Sequence, residues 1–258
     1  MKTEEIKITP KWRSSKEEIW NEAFANLDDT HRVKRLSFLK YAAVAAITML
    51  IAGASFIYLY TVTETAMRGS HLSVTLPDGS TVNLNAESKL TYKPYLYFVS
   101  RDVTLTGEAC FEVKPAGSRF VVKSGANQVK VLGTGFNVFV RDERYSVTCL
   151  TGKVEVSANN EQTILTPNMQ AVLQNGKLEV TDNADAEQAV GWTQNKFVFI
   201  GVPLKDAIKE IERQYDIQVT TASNLDYLYS GNFTKPKEPE EALQIIGNPF
   251  DVTFSIKK

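Results

Sequence analysis

A run of 22 residues without a charged side chain, from Tyr41 to Val62, constrains this sequence more than any other feature. As a helix rising ~1.5 Å per residue it would span about 33 Å, enough to cross a hydrocarbon core of about 30 Å. Tyrosines stand near both of its ends, where their rings settle at membrane interfaces. The run therefore predicts a transmembrane helix over 41–62. A buried helix of a soluble protein and a cleaved signal peptide are the open alternatives, and the 40 residues before the run favour an uncleaved signal anchor.

The charges beside this run predict its orientation. Four basic residues crowd its N-terminal side, namely Arg32, Lys34, Arg35 and Lys40. Residues 1–40 hold nine basic and seven acidic side chains, a net +2, whereas residues 63–258 hold 20 and 23, a net -3. By the positive-inside rule the N-terminus lies in the cytoplasm and most of the chain lies outside, which in a bacterium is the periplasm. The net charge of -1 for the whole chain excludes a general positive field for direct binding of nucleic acid.

The segment before the membrane carries a second pattern. Ser15 and Glu18 have the spacing of a capping box, as do the residues one position earlier, and they predict a helix from about Ser15 to Asp28. Its apolar side chains recur at helical spacing: Ile19, Trp20, Ala23, Phe24 and Leu27. A segment this short cannot bury such a face by itself. The face predicts a protein partner with a groove for Trp12, Trp20 and Phe24; a helix lying on the inner leaflet and a disordered tail are the alternatives.

Beyond the membrane run the apolar residues alternate with polar ones. Leu72, Val74 and Leu76 precede a Pro77–Ser80 turn, after which the alternation resumes, and this predicts a hairpin. Short alternating runs continue to about Val180. Five glycines punctuate them: Gly107, Gly125, Gly133, Gly152 and Gly176. The pattern predicts an all-β domain over 70–180, either a sandwich, a barrel or a short solenoid.

The last part of the chain belongs to a different class. Residues 181–192 lose the alternation and are interpreted as a linker. Over 193–258, strands are predicted at 196–200, 217–221, 229–233 and 250–256, with amphipathic helices opening at Pro203 and Pro239. The repeated order predicts a small α/β domain of the split βαβ type with exposed sheet edges. The fold class is therefore mixed: one membrane helix, a β-rich domain and a small α/β domain.

Four sequence segments of the β region resemble those of a known family. They are LPDGSTVNLNAESKLTY (76–92), RDVTLTGEACFEV (101–113), FVVKSGANQVKVLGTGFNVFV (120–140) and TGKVEV (151–156). Together they are similar to the periplasmic domain of transmembrane anti-sigma factors of the FecR family. Residues 197–256 resemble the small C-terminal domain of Bacteroidetes-type members, which is related to the secretin and TonB short N-terminal domain.

The resemblance implies a function. Residues 1–40 would bind an extracytoplasmic-function sigma factor, and the periplasmic domains would receive a signal from the N-terminal domain of a TonB-dependent outer-membrane transporter. Cleavage by regulatory proteases of the cell, or a rearrangement of the chain, would release the sigma factor, and no cofactor is implied. The expected sigma-factor contacts are the apolar residues of the first segment: Trp12, Ile19, Trp20, Phe24 and Leu27. At 40 residues this segment is short for the family, which predicts that it binds through a single helix or weakly.

The family also suggests one covalent reaction, self-cleavage between Gly133 and Thr134. The Thr134 hydroxyl would attack the Gly133 carbonyl carbon, the peptide C–N bond would break in an N-to-O acyl shift that frees the Thr134 amine, and water would open the resulting ester. The alternative is that Gly133 and Gly135 shape a turn or bulge.

Two rival functions stay open. A membrane-anchored binding or scaffold protein of the envelope would use its cytoplasmic stub only as a topology signal. An anchored enzyme would need catalytic groups, of which Glu108, Glu112 and His71 are the candidates; same-parity glutamates on a strand more often form a solvated face, so we expect no enzyme. Cys110 and Cys149 are interpreted as separate thiols, with a disulfide as the alternative, and no metal site is predicted.

Overall fold

The computed structural model describes residues 13–25, 29–142, 144–182 and 186–257. The chain divides into two compact units, Met1–Phe56 and Ile57–Lys258.

The first described helix, α1 (Lys16–Phe24), begins where the capping box predicts. The Ser15 hydroxyl accepts a hydrogen bond from the Glu18 amide at 3.2 Å, and the Glu18 carboxylate accepts one from the Ser15 amide at 2.9 Å. These bonds satisfy amides that a helix start leaves unpaired. The helix ends at Phe24, and the remainder of its predicted length, through Asp28, lies outside the described residues or in a turn.

The second helix, α2 (Asp29–Leu59), carries the uncharged run. Its stretch Phe38–Leu59 is long and apolar enough to cross a membrane, and none of it is buried by the protein. The helix ends at Leu59 and a strand begins at Val62, so the span lies three residues earlier than the predicted 41–62.

A β body of thirteen described strands follows the helix. They are β1 (Val62–Ala66), β2 (Leu72–Thr75), β3 (Thr81–Leu84), β4 (Ser88–Tyr92), β5 (Arg101–Glu112), β6 (Phe120–Ser124), β7 (Asn127–Val131), β8 (Gly135–Arg141), β9 (Arg144–Thr151), β10 (Val154–Ala158), β11 (Glu161–Leu165), β12 (Gln170–Gln174) and β13 (Lys177–Thr181). The predicted hairpin is β2–β3. The β body starts earlier than the predicted residue 70, because β1 pairs with β4 although its own sequence, VTETA, is mostly polar.

The strands form two layers that share β5. The first layer has the order β11-β10-β7-β6-β5-β4-β1, and the second has the order β2-β3-β5-β8-β9-β12-β13. Only the β5–β6 pair is parallel among these described strands. Phe111 of the second layer packs against Phe120 of the first, with ring centroids 6.0 Å apart, so one core lies between the layers as in a sandwich.

Gly107 is the point at which β5 passes from one layer to the other. Its φ of +96° lies in the region that favours glycine, and a Cβ there would lie 2.5 Å from the Ser88 hydroxyl oxygen. The prediction that Gly107 separates two strands was therefore wrong, since it bends one continuous strand of twelve residues.

A short helical segment joins the β body to the last domain. It consists of α3 (Ala186–Val190) and a 3-10 turn (Gly191–Gln194), where a linker was predicted. Trp192 is buried, and its ring meets His71 edge to face at 5.3 Å between centroids. The segment is therefore packed on the β body and is part of the folded structure.

The C-terminal domain, residues 196–257, has the predicted order of elements. It contains β14 (Lys196–Pro203), α4 (Leu204–Tyr215), β15 (Gln218–Thr220), β16 (Leu228–Thr234), α5 (Pro239–Gly247) and β17 (Ser255–Lys257). Corresponding elements of the two halves meet: β14 pairs with β16, β15 pairs with β17, and α4 packs against α5. The last strand is shorter than predicted: a 3-10 turn ends at residue 250 and the strand begins only at Ser255.

Candidate functional site

Two surfaces of the chain are candidates for function, and the first is the apolar face of α1. Ile19, Trp20 and Phe24 are 45, 65 and 48% exposed. The rings of Trp20 and Phe24 lie 4.4 Å apart, so the two side chains form one continuous apolar surface. Trp12 and Leu27, the other two predicted contacts, lie outside the described residues.

The second candidate is the polar interface at which α4 covers the outer face of the second layer. Gln214, near the end of α4, donates hydrogen bonds to the Asn85 side-chain oxygen at 2.6 Å and to the Glu210 carboxylate at 2.9 Å. The Gln214 oxygen lies 3.0 Å from His71 Nε2. Lys235 donates to the backbone carbonyl of Gln214 at 2.7 Å. One glutamine thus joins the C-terminal domain to the β body.

Glu108 is the buried charge at the centre of this interface. Its carboxylate accepts hydrogen bonds from the side-chain amides of Asn85 at 2.8 Å and Asn137 at 3.0 Å. Burial is the main cause that raises the pKa of Glu108 to about 7, and the nearby charge of Glu210 is the next largest. The two hydrogen bonds from the asparagines lower this pKa but do not cancel the rise. Burial also lowers the pKa of His71, and the hydrogen bond that His71 Nε2 donates to the Gln214 side-chain oxygen opposes this only in part.

The expectation of a solvated glutamate face was wrong for Glu108, which is 7% exposed, and right for Glu112, which is exposed. The α4 helix covers Glu108 and leaves Glu112 exposed to solvent. A glycosidase pair needs two carboxyls that reach one bond of the substrate. Glu108 is hydrogen-bonded to two asparagine side chains and lines the cleft between the β body and the C-terminal domain, whereas Glu112 is on the open surface and does not line that cleft. The structure therefore does not bring the two carboxyls to one site.

Ion pairs surround the buried network. Two of them connect α4 with the β8–β9 turn: Arg144 with Asp206 at 3.0 Å and Lys209 with Asp142 at 3.2 Å. They are partly exposed, so each contributes at most about 1 kcal/mol. A cleft of about 690 Å³ between the β body and the C-terminal domain opens beside them. The buried hydrogen bond from Gln214 to Asn85 adds to these pairs in joining the two parts.

The proposed cleavage point, Gly133–Thr134, lies just before β8. The Thr134 hydroxyl donates a hydrogen bond to the Lys153 carbonyl at 3.1 Å. The backbone N–H and C=O of Thr134 both form hydrogen bonds with the backbone of Val113. A Cβ on Gly133 would lie 2.8 Å from the Pro115 Cα, so close packing explains this glycine. The β8–β9 pairing shifts register beside Gly135, which matches the predicted bulge.

The two cysteines are free and lie on opposite faces of the second layer. Cys149 faces the core, as does Phe111. Cys110 follows Ala109 and precedes Phe111, both of which face the core, so its own side chain points to the other face. The interpretation as separate thiols is confirmed. Among the described residues no cluster of histidine, cysteine, aspartate and glutamate could hold a metal ion.

The sequence matches two family models, FecR protein over residues 61–155 and FecR, C-terminal over residues 196–258. The structure is similar to a crystal structure of a candidate anti-sigma factor from Parabacteroides distasonis ATCC 8503 at 2.50 Å resolution. The TM-score is 0.70 at 31% identity, over 77% of this chain and 95% of that one. The chain belongs to the FecR family. A second crystal structure described in the same words, at 1.65 Å resolution, matches with a TM-score of 0.69 at 30% identity, over 76% of this chain and 99% of that one. No curated protein matches the FecR chain.

The sequence did not predict that three side-chain amides meet in the interface between the β body and the C-terminal domain. Asn85, Asn137 and Gln214 come from three distant segments, and no short motif joins them. One signal was present in this FecR chain: Asn137 lies in the apolar strand FNVFV, where a polar side chain needs a buried partner.

Proposed function

We propose that this FecR protein is a single-pass anti-sigma factor of the inner membrane. The segment before the span binds an extracytoplasmic-function sigma factor in the cytoplasm, and the β body and C-terminal domain lie in the periplasm. The similarity to candidate anti-sigma factors supports this role. The excess of basic residues before the span supports the orientation.

The exposed face of α1 is the observation that carries the proposal. Its aromatic pair presents a large apolar surface on a short helix, which is the type of surface that an apolar groove receives. Aromatic side chains of this kind dominate the binding energy of many interfaces. We propose Ile19, Trp20 and Phe24 as the central contacts, with Trp12 and Leu27 extending the same surface.

The C-terminal domain is the proposed receiver of the periplasmic signal. In the described part of the domain, β14 and β16 pair only with each other, so each leaves one edge open to an added strand. Ile200 and Leu228 are exposed beside these edges. We propose that the N-terminal domain of a TonB-dependent transporter adds a strand here. The Gln214–Asn85–Glu108 hydrogen bonds would pass the resulting displacement to the β body, and regulatory proteases would then release the sigma factor.

Affinity purification from the native cell tests the cytoplasmic contact. The full-length tagged chain is extracted from membranes in detergent, and the proteins bound to it are identified by mass spectrometry. We expect a sigma factor with the wild type and its loss in the double variant Trp20→Ala/Phe24→Ala. Asn21→Ala/Glu22→Ala, on the opposite side of α1, is the matched control and should retain the sigma factor.

Absence of any sigma factor from the wild type would refute the proposal and favour the envelope scaffold. Equal loss in both double variants would refute the assignment of the apolar face. Retention of the sigma factor by the Trp20→Ala/Phe24→Ala variant would move the contact to another part of the chain.

A further inference from the structure

The loop between β4 and β5, residues 93–100, exposes three large apolar side chains within five residues. Tyr95, Phe98 and Val99 are 56, 75 and 82% exposed. Between them Tyr97 is fully buried, and its ring meets that of Tyr92 edge to face at 6.1 Å between centroids. Tyr97 anchors the loop in the core, so the exposed side chains beside it are held out from the body.

This β4–β5 loop lies beside the end of the apolar helix. The rings of Tyr60 and Tyr95 lie 5.3 Å apart, and the Lys93 ammonium lies 4.3 Å from the centre of the Tyr58 ring. Since the apolar stretch ends at Leu59, residues 58–60 lie at the level where a membrane surface would be. The contacts therefore bring the loop to that same level.

We propose that the β4–β5 loop inserts into the outer leaflet of the membrane that α2 spans, with Phe98 and Val99 among the upper acyl chains. Tyr95 and Lys93 would lie at the headgroup level, because a tyrosine hydroxyl and a lysine ammonium remain hydrated while their apolar parts are buried. This inference rests on the proposed membrane span. It adds a second contact between the β body and the bilayer, besides the covalent connection through residues 60 and 61.

A further exposed residue lies at the same end of the first layer. Leu132 follows β7, and Val131 pairs with Phe120, which in turn pairs with Arg101 at the end of the loop. Leu132 is exposed. By contrast, the β6–β7 turn at the other end of this layer carries the small Gly125 and Ala126. Lipid is the occupant that we propose for the large apolar side chains at this end, since the loop that carries them contacts Tyr58 and Tyr60, where the apolar stretch ends.

Spin-label accessibility on the full-length chain tests the proposal. Single cysteines are introduced as Val99→Cys, Ala126→Cys and Ile47→Cys, and the labelled proteins are reconstituted in vesicles of phosphatidylethanolamine and phosphatidylglycerol. The native Cys110 and Cys149 are buried, and burial raises their pKa values to about 12 and about 11, so the label reacts with the exposed new thiols. Collisions with oxygen report lipid, and collisions with a polar nickel complex report water.

We expect the label at 99 to lose its collisions with the nickel complex, as the label at 47 in the span does, while the label at 126 keeps them. If the label at 47 is in lipid and the label at 99 is as accessible to nickel as that at 126, the loop proposal is refuted and the span stands. If the label at 47 is itself in water, the span and the loop proposal both fail.

Discussion

Replacement of Glu108 by glutamine should remove a pH dependence from the stability of the β body and the C-terminal domain. In the folded chain the pKa of Glu108 is raised from its ordinary value of 4.5 to about 7, chiefly by burial. The folded state therefore binds the proton more tightly than the unfolded state, and stability falls as pH rises from about 4.5 to about 7. The effect is nearly complete at about pH 8, where Glu108 is ionised in both states.

The size of the effect follows from that difference. A tenfold change in an equilibrium constant corresponds to about 1.4 kcal/mol, so ionised Glu108 costs the fold about 3 kcal/mol at pH 8. Between pH 5 and pH 8 the wild type should lose about 2 to 3 kcal/mol through this group, and Glu108→Gln should lose none of it. The glutamine can keep both contacts, because its amide group can donate to the Asn137 oxygen, which has no hydrogen-bond partner in the wild type.

Denaturant unfolding of residues 61–258 at pH 5 and pH 8 measures this difference. Glu112→Gln, on the same strand but exposed, is the matched control and should follow the wild type. His71 is present in all three proteins, so its own titration cancels in the comparison. An unchanged pH slope in Glu108→Gln would show that the carboxylate is solvated and that α4 does not cover it.

Three further outcomes are expected. Gly107→Ala should destabilise the β body by about 3 kcal/mol in urea unfolding, because the new Cβ meets Ser88 in a strained backbone region; a loss below about 1 kcal/mol would contradict the bend. Arg101→Met should cost about 3 to 5 kcal/mol because it removes the buried guanidinium that pairs with the half-buried Asp78, and Arg101→Met/Asp78→Asn should recover part of that loss. The purified chain should run as one full-length band, as should Thr134→Ala, because Thr134 is held in paired backbone; two fragments that disappear in Thr134→Ala would instead establish self-cleavage.

The sequence predicted those helices and strands that depend on residues close together along the chain. The Ser15–Glu18 capping box and the alternation through the β2–β3 hairpin each depend on residues a few positions apart, and both are found in the structure. The strand β1 was missed because its pairing with β4, and not its own mostly polar sequence, makes it a strand.

The interface could not be predicted in the same way. The burial of Glu108 depends on α4, which lies about 100 residues further along the chain, and alternation within β5 says only that Glu108 shares a face with Glu112. The same limit applies to Gly107. A glycine between two alternating runs is typical of a turn, and only the partners on either side show that the strand continues through it.

Only Tyr60 and Thr61 separate the end of α2 from the start of β1. Two extended residues add at most about 7 Å of slack, and β1 is hydrogen-bonded into its layer along its whole length. The joint is therefore short, and a pull on the β body would reach the helix after little extension. Glycine–serine repeats inserted between these two residues would lengthen the joint without touching either folded part, and each added repeat should weaken the mechanical coupling between the β body and the helix.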